Sequence, residues 1–554
     1  MRRVAAARGI ESDRLQRFMT PMMEDLPTPR AVPGAGDVGR RLVSALREKR
    51  PLAIFGDYDA DGMCAAAILV HALQAVAPEA RVTVHIPKRG QDAYGLSIAS
   101  IEGLAANGFK TIVTVDCGIT ALKEAKRAKE LGVELLITDH HARDASGQLP
   151  EAAAIAHPGL GEAPSEMCGA AVAWVVALAL FEEWAAPAKI PPRHVEVLAA
   201  TLALAAVGTV ADVIPLVGYS RAIVALGLES VANSSLPGLK ALVRQAKIPA
   251  GGTVDAEQVS FGIGPLLNAC GRLGSAVEGV ELLALPATTD AGVKAGKIAS
   301  RFAELNERRK ERERRIVEEA SKRIEEGLGR ARGACILADP TWPRGIVGIA
   351  CARIAEVHHV PVVLLEVDGE FAHGSGRSVE GYSLLEGLVG CAQWLDRFGG
   401  HAAAAGVSMR VEHIPAFREA LSEHAARRDT SAVGVLKPDV EVSAADLSLA
   451  AITSVLGLGP FGNGFPMPTV LVRGVRVASD PKPFGASGDH LSFYVSPGTG
   501  AAELRCTWWR QGGHRDRIRR GQRLHLVARP QIDRYQGTAR AALVLFDVAD
   551  ADVG

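Results

Sequence analysis

From residue 51 onward the chain alternates two hydrophobic rhythms. Short, mostly apolar runs at Pro51–Phe55, Val82–Ile86, Lys110–Val115, Val133–Ile137 and Ala152–Ala156 predict buried strands. Most are separated by stretches of helical period, such as Met63–Val76. Strands alternating with helices predict a parallel, doubly wound α/β sheet. Apolar helices at Ala170–Trp184 and Val195–Ala206 follow. A second, smaller α/β unit starts at Ala334–Leu337, continues through Val360–Leu365 and ends near residue 428. After Pro438 the rhythm changes to turn-separated strands at Thr469–Val477, Leu491–Val495, Leu504–Thr507, Arg523–Ala528 and Ala541–Phe546, which predict an all-β barrel.

Between the two α/β units, residues 301–330 hold 10 Arg/Lys and 8 Asp/Glu. Glu304/Arg308, Glu311/Arg315, Glu318/Lys322 and Glu319/Arg323 stand four apart in the favourable order. A helix polar nearly all round reads as a connector crossing solvent between domains. The partition expected is an extended arm over 1–45 (with Pro21, Pro27, Pro29 and Pro33) leading to a helix, an α/β domain over 46–285, the connector over 286–332, the smaller α/β domain over 333–430 and the β-rich domain over 431–554.

Composition sets limits on this picture. The 554 residues suffice for three or four domains at roughly 100–200 residues each. With 62 Lys+Arg against 62 Asp+Glu the chain is neither a globally basic binder nor an acidic disordered protein. Eight scattered cysteines without a C-x-x-C pair argue against a thiolate zinc site or a disulfide framework and fit a reducing cytoplasm. The start, MRRVAAARGIESDR, lacks the apolar core of a signal peptide. The runs Ala170–Phe181 and Val197–Ala211 are shorter than the roughly 20 residues of a membrane span. A soluble cytoplasmic protein is expected.

The chemistry concentrates where apolar segments end. The first strand runs into Asp57, Asp59 and Asp61, the third into Asp116, the fourth into Asp139, His140 and His141, and the helix through Leu204 leads to Asp212. In a parallel sheet the carboxyl ends of the strands share one edge, where ligands bind. Carboxylates gathered there repel one another unless cations neutralise them. Oxygen donors mixed with imidazole, without thiolate, favour Mn²⁺ or Mg²⁺. Two such ions can clamp the attacking and leaving oxygens of a phosphoester and acidify a bound water. Helix caps or surface loops are the alternative, more credible for Asp116 alone than for the set.

The segments FGDYDADGM, VTVDCG, ITDHH and VGTVADVIPL, in this order, resemble the four motifs of the DHH phosphoesterase superfamily. Gly399-Gly400-His401-Ala402-Ala403-Ala404-Ala405-Gly406 resembles the glycine-histidine block of the DHH-associated domain. Within the superfamily the chain is most similar to its exonucleases of single-stranded DNA, over nearly its whole length. The resemblance implies a two-metal enzyme degrading single strands from the 5′ end to mononucleotides, in recombination and repair. It implies that Asp59 binds one ion and Asp61 the other, that Asp116 bridges, that His140 and Asp212 complete the set and that His141 stabilises developing charge. Asp57 and Asp139 are read as orienting groups. Where relatives carry Asn-Pro this chain has His157-Pro158, an added ligand or a replacement hydrogen bond.

By the same resemblance Arg272, Ser375 and Arg377 hold the 5′ end and adjacent backbone. Arg89 beside Gly90 is a further phosphate candidate, with a surface salt bridge as its alternative. His401 reads as a phosphate contact or a packed turn histidine, and Tyr94 as a base platform or core. The β-rich end adds its own signal. From Arg505 to Arg540, ten arginines stand against two aspartates, a local net charge of +8, interleaved with Trp508, Trp509 and Tyr535. A basic surface with aromatic platforms suits single strands, and Trp508 with Arg510 is the expected contact, although adjacent tryptophans on a strand face opposite sides. The partners implied are single-stranded DNA, a single-strand-binding protein and a recombination helicase, with the chain itself a monomer. Two other functions fit parts of the pattern: a phosphodiesterase for short oligonucleotides or cyclic dinucleotides, and a non-catalytic single-strand-binding scaffold.

Overall fold

The computed structural model describes the chain except residues 90–94, 144–145, 162–164, 250–251, 332, 428–435, 486–487, 499–501, 535–537 and 552–554, and the side chains of 330 and 331. Tyr94 and Tyr535 therefore lie outside the described residues. The chain forms two compact units, Pro27–Asp212 with Gly227–Gly434, and Met1–Leu26 with Val213–Leu226 and Val435–Gly554.

In the first unit β1 (Leu52–Phe55), β2 (Val82–His85), β3 (Thr111–Thr114), β4 (Glu134–Thr138) and β5 (Ala154–Ala156) form a parallel sheet in the order β2-β1-β3-β4-β5. β1 and β3 are buried at every residue, which is why they read as uninterrupted apolar runs rather than alternating ones. The order reverses at β1, so the crevice at its carboxyl end and that of β3 is the topological switch point. Helix Ala60–Val76 follows β1 and packs against Gly169–Ala185 and Pro192–Ala211. The last of these is 20 residues long and apolar enough by length and composition to cross a membrane. It begins five residues earlier than the apolar run starting at Val197, which corrects the expected shortfall, but 67% of its apolar window is buried inside the protein, as in a core helix.

The second sheet of this unit is mixed, in the order β10-β11-β9-β8-β7-β6. It is built from β6 (Arg330–Ala331), β7 (Ala334–Asp339), β8 (Val362–Asp368), β9 (Phe371–Arg377), β10 (Arg397–Gly400) and β11 (Ala404–Arg410). The connector is one helix, Ala291–Glu325, of 35 residues. It does not cross solvent. Ala295, Ala299, Phe302, Ile316, Ala320 and Ile324 form a buried stripe, and its last turns share a core with Trp342, Ile346 and Val347 of helix Arg344–His358. The stripe is narrow and half of it is alanine, so the charge count hid it. Glu311–Arg315 and Glu319–Arg323 pair as expected, whereas Glu318 is taken by Arg314 and Lys322 turns to Glu326.

The second unit is a barrel. β12 (Val440–Val442), β13 (Val470–Val477), β14 (Lys482–Phe484), β15 (His490–Ser496), β16 (Leu504–Trp508), β17 (Arg523–Asp533) and β18 (Arg540–Asp550) run in the order β12-β13-β17-β18-β16-β15-β14. Pairing of Arg476 with Ser496 and of Val477 with Val495 joins β13 back to β15 and closes the ring. Inward positions alternate along β13 and β17 and meet around Val472, Phe493, Leu526 and Leu543. The first 26 residues are not simply an extended arm. Arg2–Ala7 and Leu15–Met19 are helical and bury Val4, Ala5 and Leu15 against Leu458 and Phe465. Arg8 grips Asp439, with Nε 2.6 Å from Oδ1 and Nη2 3.0 Å from Oδ2.

Candidate metal centre and nucleic-acid interface

The switch-point edge gathers eight side chains: Asp57, Asp59, Asp61, Asp116, Asp139, His140, His141 and Asp212. The turn after β1 is held by Asp59, whose carboxylate caps helix Ala60–Val76 by accepting the N–H groups of Asp61 and Gly62 at 3.0 Å. In the first turn of that helix, Asp61 accepts the Gly169 and Ala170 N–H groups at 2.6 and 3.0 Å, an acidic group at the amino end of a second helix. Two glycines make the approach possible. A Cβ on Gly169 would come within 2.5 Å of Asp116, and one on Gly208 within 2.4 Å of Asp61. Asp116 itself takes a left-handed backbone, φ 61°, a conformation Asp tolerates better than most side chains. Neither Gly169 nor Gly208 was singled out from the sequence. The available signals were the start of an apolar helix for Gly169 and the place of Gly208 within VGTVADVIPL.

Donor atoms of Asp57, Asp59 and Asp116 lie within 4.8 Å of one another, and so do those of Asp61, His140 and Asp212 and those of Asp116, His140 and His141. Asp116 Oδ1 and His140 Nε2 are 3.0 Å apart, yet both are buried without a hydrogen-bond partner. Burial and then the Asp59 charge push Asp57 up to about 8 and Asp61 up to about 6. Burial and the Asp61 charge push Asp212 up to about 8 and raise Asp116 well above the carboxylate range. Burial, then the neighbouring His141, drops His140 to about 3, leaving it neutral and able to ligate. Acidic oxygens that resist ionisation together, beside a neutral imidazole with an orphaned nitrogen, fit divalent cations.

Asp139 differs. Its Oδ1 accepts the N–H groups of His140 and His141 and faces His141 Nδ1 at 2.8 Å, while Oδ2 accepts the Ile119 N–H at 2.8 Å. Burial alone would raise its pKa, but His141 and these donors hold it at about 2. Burial would lower His141, and the hydrogen bond and charge of Asp139 instead lift it to about 9. His157 is 5% exposed and both its ring nitrogens are engaged. Its Nδ1 accepts the Gly159 N–H at 2.9 Å, which leaves Nε2 to donate to the His141 carbonyl at 2.8 Å, so it supplies a hydrogen bond.

Beside this cluster stands a basic wall. Arg272 Nη1 donates to the Gly345 carbonyl at 2.6 Å, and its Nε is buried without a hydrogen-bond partner. Burial and the nearby Arg89 charge lower Arg272 to about 9. Ser375 and Arg377 lie against Gly348 of helix Arg344–His358. Arg89, Arg272 and Arg344 line a cavity of about 380 Å³; Arg89, Arg344 and Ser375 line a second of about 450 Å³. His401 is exposed in the β10–β11 hairpin and lines neither. Arg344, which the sequence reading missed, is tied to Glu366 at 2.5 Å and Asp368 at 3.0 Å.

On the barrel the exposed tryptophan is the neighbour of the one expected. Trp508 is 7% exposed within the core, because its strand position points inward, and its assignment to the nucleic acid is corrected on that ground. Trp509 is 51% exposed, with Phe484 and His490 edge-on at 5.3 and 4.8 Å. Arg510 follows in a left-handed turn, φ 60°, and donates its N–H to His490 Nδ1.

Fold and site together define a DHH-type phosphoesterase: residues 51–208 match the DHH family, N-terminal domain, and 332–427 the DHHA1 domain. Residues 438–547 match the RecJ OB domain. The single-stranded-DNA-specific exonuclease RecJ of Salmonella typhimurium is 31% identical over 99% of this chain and 95% of its own length. That of Bacillus subtilis is 32% identical over 97% of this chain, which spans 66% of it. The chain belongs to the RecJ family. The structure of RecJ from Thermus thermophilus in complex with Mn²⁺ superposes with a TM-score of 0.79 at 29% identity, covering 99% of this chain and 75% of that one, and that protein is also solved with Mg²⁺.

Proposed function

We propose that this chain is a metal-dependent exonuclease that hydrolyses single-stranded DNA from its 5′ end to mononucleotides, in recombination and repair. The observation that carries the reading is a cation-hungry carboxylate–imidazole cluster on one sheet edge, beside cavities in which Arg89 and Arg272 meet Arg344 and Ser375 of the DHHA1 domain. Its substrate, polarity and setting are supported by RecJ kinship. Asp59 and Asp116, with Asp57 closer than an orienting role requires, would hold one Mn²⁺ or Mg²⁺ ion. Asp61, His140 and Asp212 would hold the other, with Asp116 shared. Bound ions supply Lewis acidity toward the phosphoester and acidify the attacking water.

The protein's own groups do the rest. Asp139 locks both histidines and keeps His141 cationic beside the site of developing negative charge. Arg272, Ser375 and Arg377 hold the terminal phosphate, and Arg89 the next stretch of backbone. Trp509 and Arg510 present a stacking face and a charge to the strand further on. On this reading residues 46–285 carry the catalytic centre, 286–332 connect, 333–430 grip the 5′ end and 431–554 bind single strand, preceded in the chain by residues 1–45. A single-strand-binding protein and a recombination helicase are the partners proposed for a cytoplasmic monomer.

Strands labelled at either end test the proposal. Mononucleotide label should appear first from the 5′ end, on long single strands, only with Mn²⁺ or Mg²⁺. Release from the 3′ end alone refutes the polarity. A rate that collapses beyond two or three nucleotides points instead to a short-oligonucleotide phosphodiesterase. Asp116→Ala should lower cleavage by ~10³-fold or more while single-strand binding persists; equal loss of both would refute the separation of cutting from binding.

A further inference from the structure

The Arg89 guanidinium lies over the Tyr58 ring, its central carbon 4.7 Å from the centroid. Tyr58 stands between Asp57 and Asp59 and donates its N–H to Asp57 Oδ1 at 2.7 Å. Its carbonyl is pressed against Gly271, where a Cβ would come within 1.9 Å of that oxygen, and Arg272 is the next residue. Asn268, on the same helix, accepts the Ala60 N–H at 2.9 Å. One residue thus touches the carboxylate turn, the helix of Arg272 and the face of Arg89. A cation seated on a ring face keeps its in-plane N–H donors for an anion, and an aromatic face is a seat that no carboxylate competitor neutralises. Arg89 has no ion pair among the described residues and lines both cavities beside the cluster.

We infer that Tyr58 is a positioning residue: its ring aims Arg89 at the strand backbone. The inference rests on the reading above in which Arg89 contacts phosphate. A guanidinium without its seat samples many rotamers, so the loss falls on binding rather than on the chemical step.

Cleavage of a 5′-phosphorylated single strand by the full chain, over a range of salt, decides it. Tyr58→Leu should raise KM about 5- to 10-fold, leave kcat within about twofold and leave Mn²⁺ affinity unchanged. It should also flatten the plot of log KM against log salt by about one unit, as Arg89→Ala should. Tyr58→Phe should behave as the parent, and Tyr58→Leu with Arg89→Ala should be no worse than Arg89→Ala alone. Tyr58→Met carries the same expectations if the leucine variant fails to fold. Additive losses, a phenylalanine variant as weak as leucine, or a fall in kcat at unchanged KM each overturn the inference. If Arg89→Ala itself leaves KM and the salt slope unmoved, the phosphate role of Arg89 falls and Tyr58's with it.

Discussion

At Asp139 one carboxylate collects three N–H donors of the backbone and the His141 ring. Its electrostatic effect falls on His141, whose pKa stands near 9, above the ordinary value of about 6.5. Cationic His141 therefore persists through neutral pH and is lost as pH rises through about 9. Asp139→Asn removes the charge that sustains it. The alkaline limb of the pH–rate profile should move toward pH ~6.5, and kcat at pH 8 should fall ~10- to 100-fold. A pH–rate series in which that limb stays put would show that the cation does no work. The acidic motif residues were legible because their chemistry is unusual in apolar surroundings. What His157 does was not, since its two hydrogen bonds run to Gly159 and His141, whose backbone positions depend on β4 and β5 lying side by side.

The connector helix shows how an element can be located correctly and its surroundings misjudged. Its i,i+4 pairs announced a helix, but Glu313 is only 8% exposed, 2.8 Å from Arg309 and 3.3 Å from Arg353 of helix Arg344–His358. Removing the shared carboxylate leaves two cations facing each other. Glu313→Ala should destabilise the first unit by about 2 kcal/mol, seen as a lower urea midpoint, with Arg353→Ala milder because that residue is half exposed. In the barrel the same logic separates two neighbours. Trp508→Ala should open the core and destabilise by about 3–5 kcal/mol. Trp509→Ala should leave melting unchanged and weaken single-strand binding by about 1–3 kcal/mol, read by fluorescence anisotropy. The reverse pattern would put the platform back on Trp508.

Over the whole molecule the neutral charge total conceals a cluster of carboxylates that repel one another. Asp57 and Asp212 stand near 8 and Asp61 near 6, all above the ordinary carboxylate value. The folded chain thus binds more protons there than the unfolded one, so without metal its stability falls as pH rises from about 4 through 8. Divalent ions displace those protons. Mn²⁺ affinity should climb between pH 6 and 8, and calorimetric titration in two buffers of unlike ionisation enthalpy should report proton release. Saturating Mn²⁺ should raise the melting temperature, with ~2.7 kcal/mol gained at one hundred times Kd, and chelation should reverse it. Binding without proton release would mean that the carboxylates are already ionised.

By itself the amino-acid sequence determined the order of elements, the three architectural blocks and the acidic motifs, because each rests on local period or on charges that an apolar strand end does not otherwise tolerate. Only the tertiary structure decided which neighbour of a pair faces inward, as at Trp508 and Trp509, which salt-bridge candidates meet, and that Gly169 and Gly208 make room for Asp116 and Asp61. It also decided that Asp57 joins the ligand-distance group and that Tyr58 seats Arg89. Those outcomes depend on distances between segments far apart in the chain, which packing sets and no local pattern encodes.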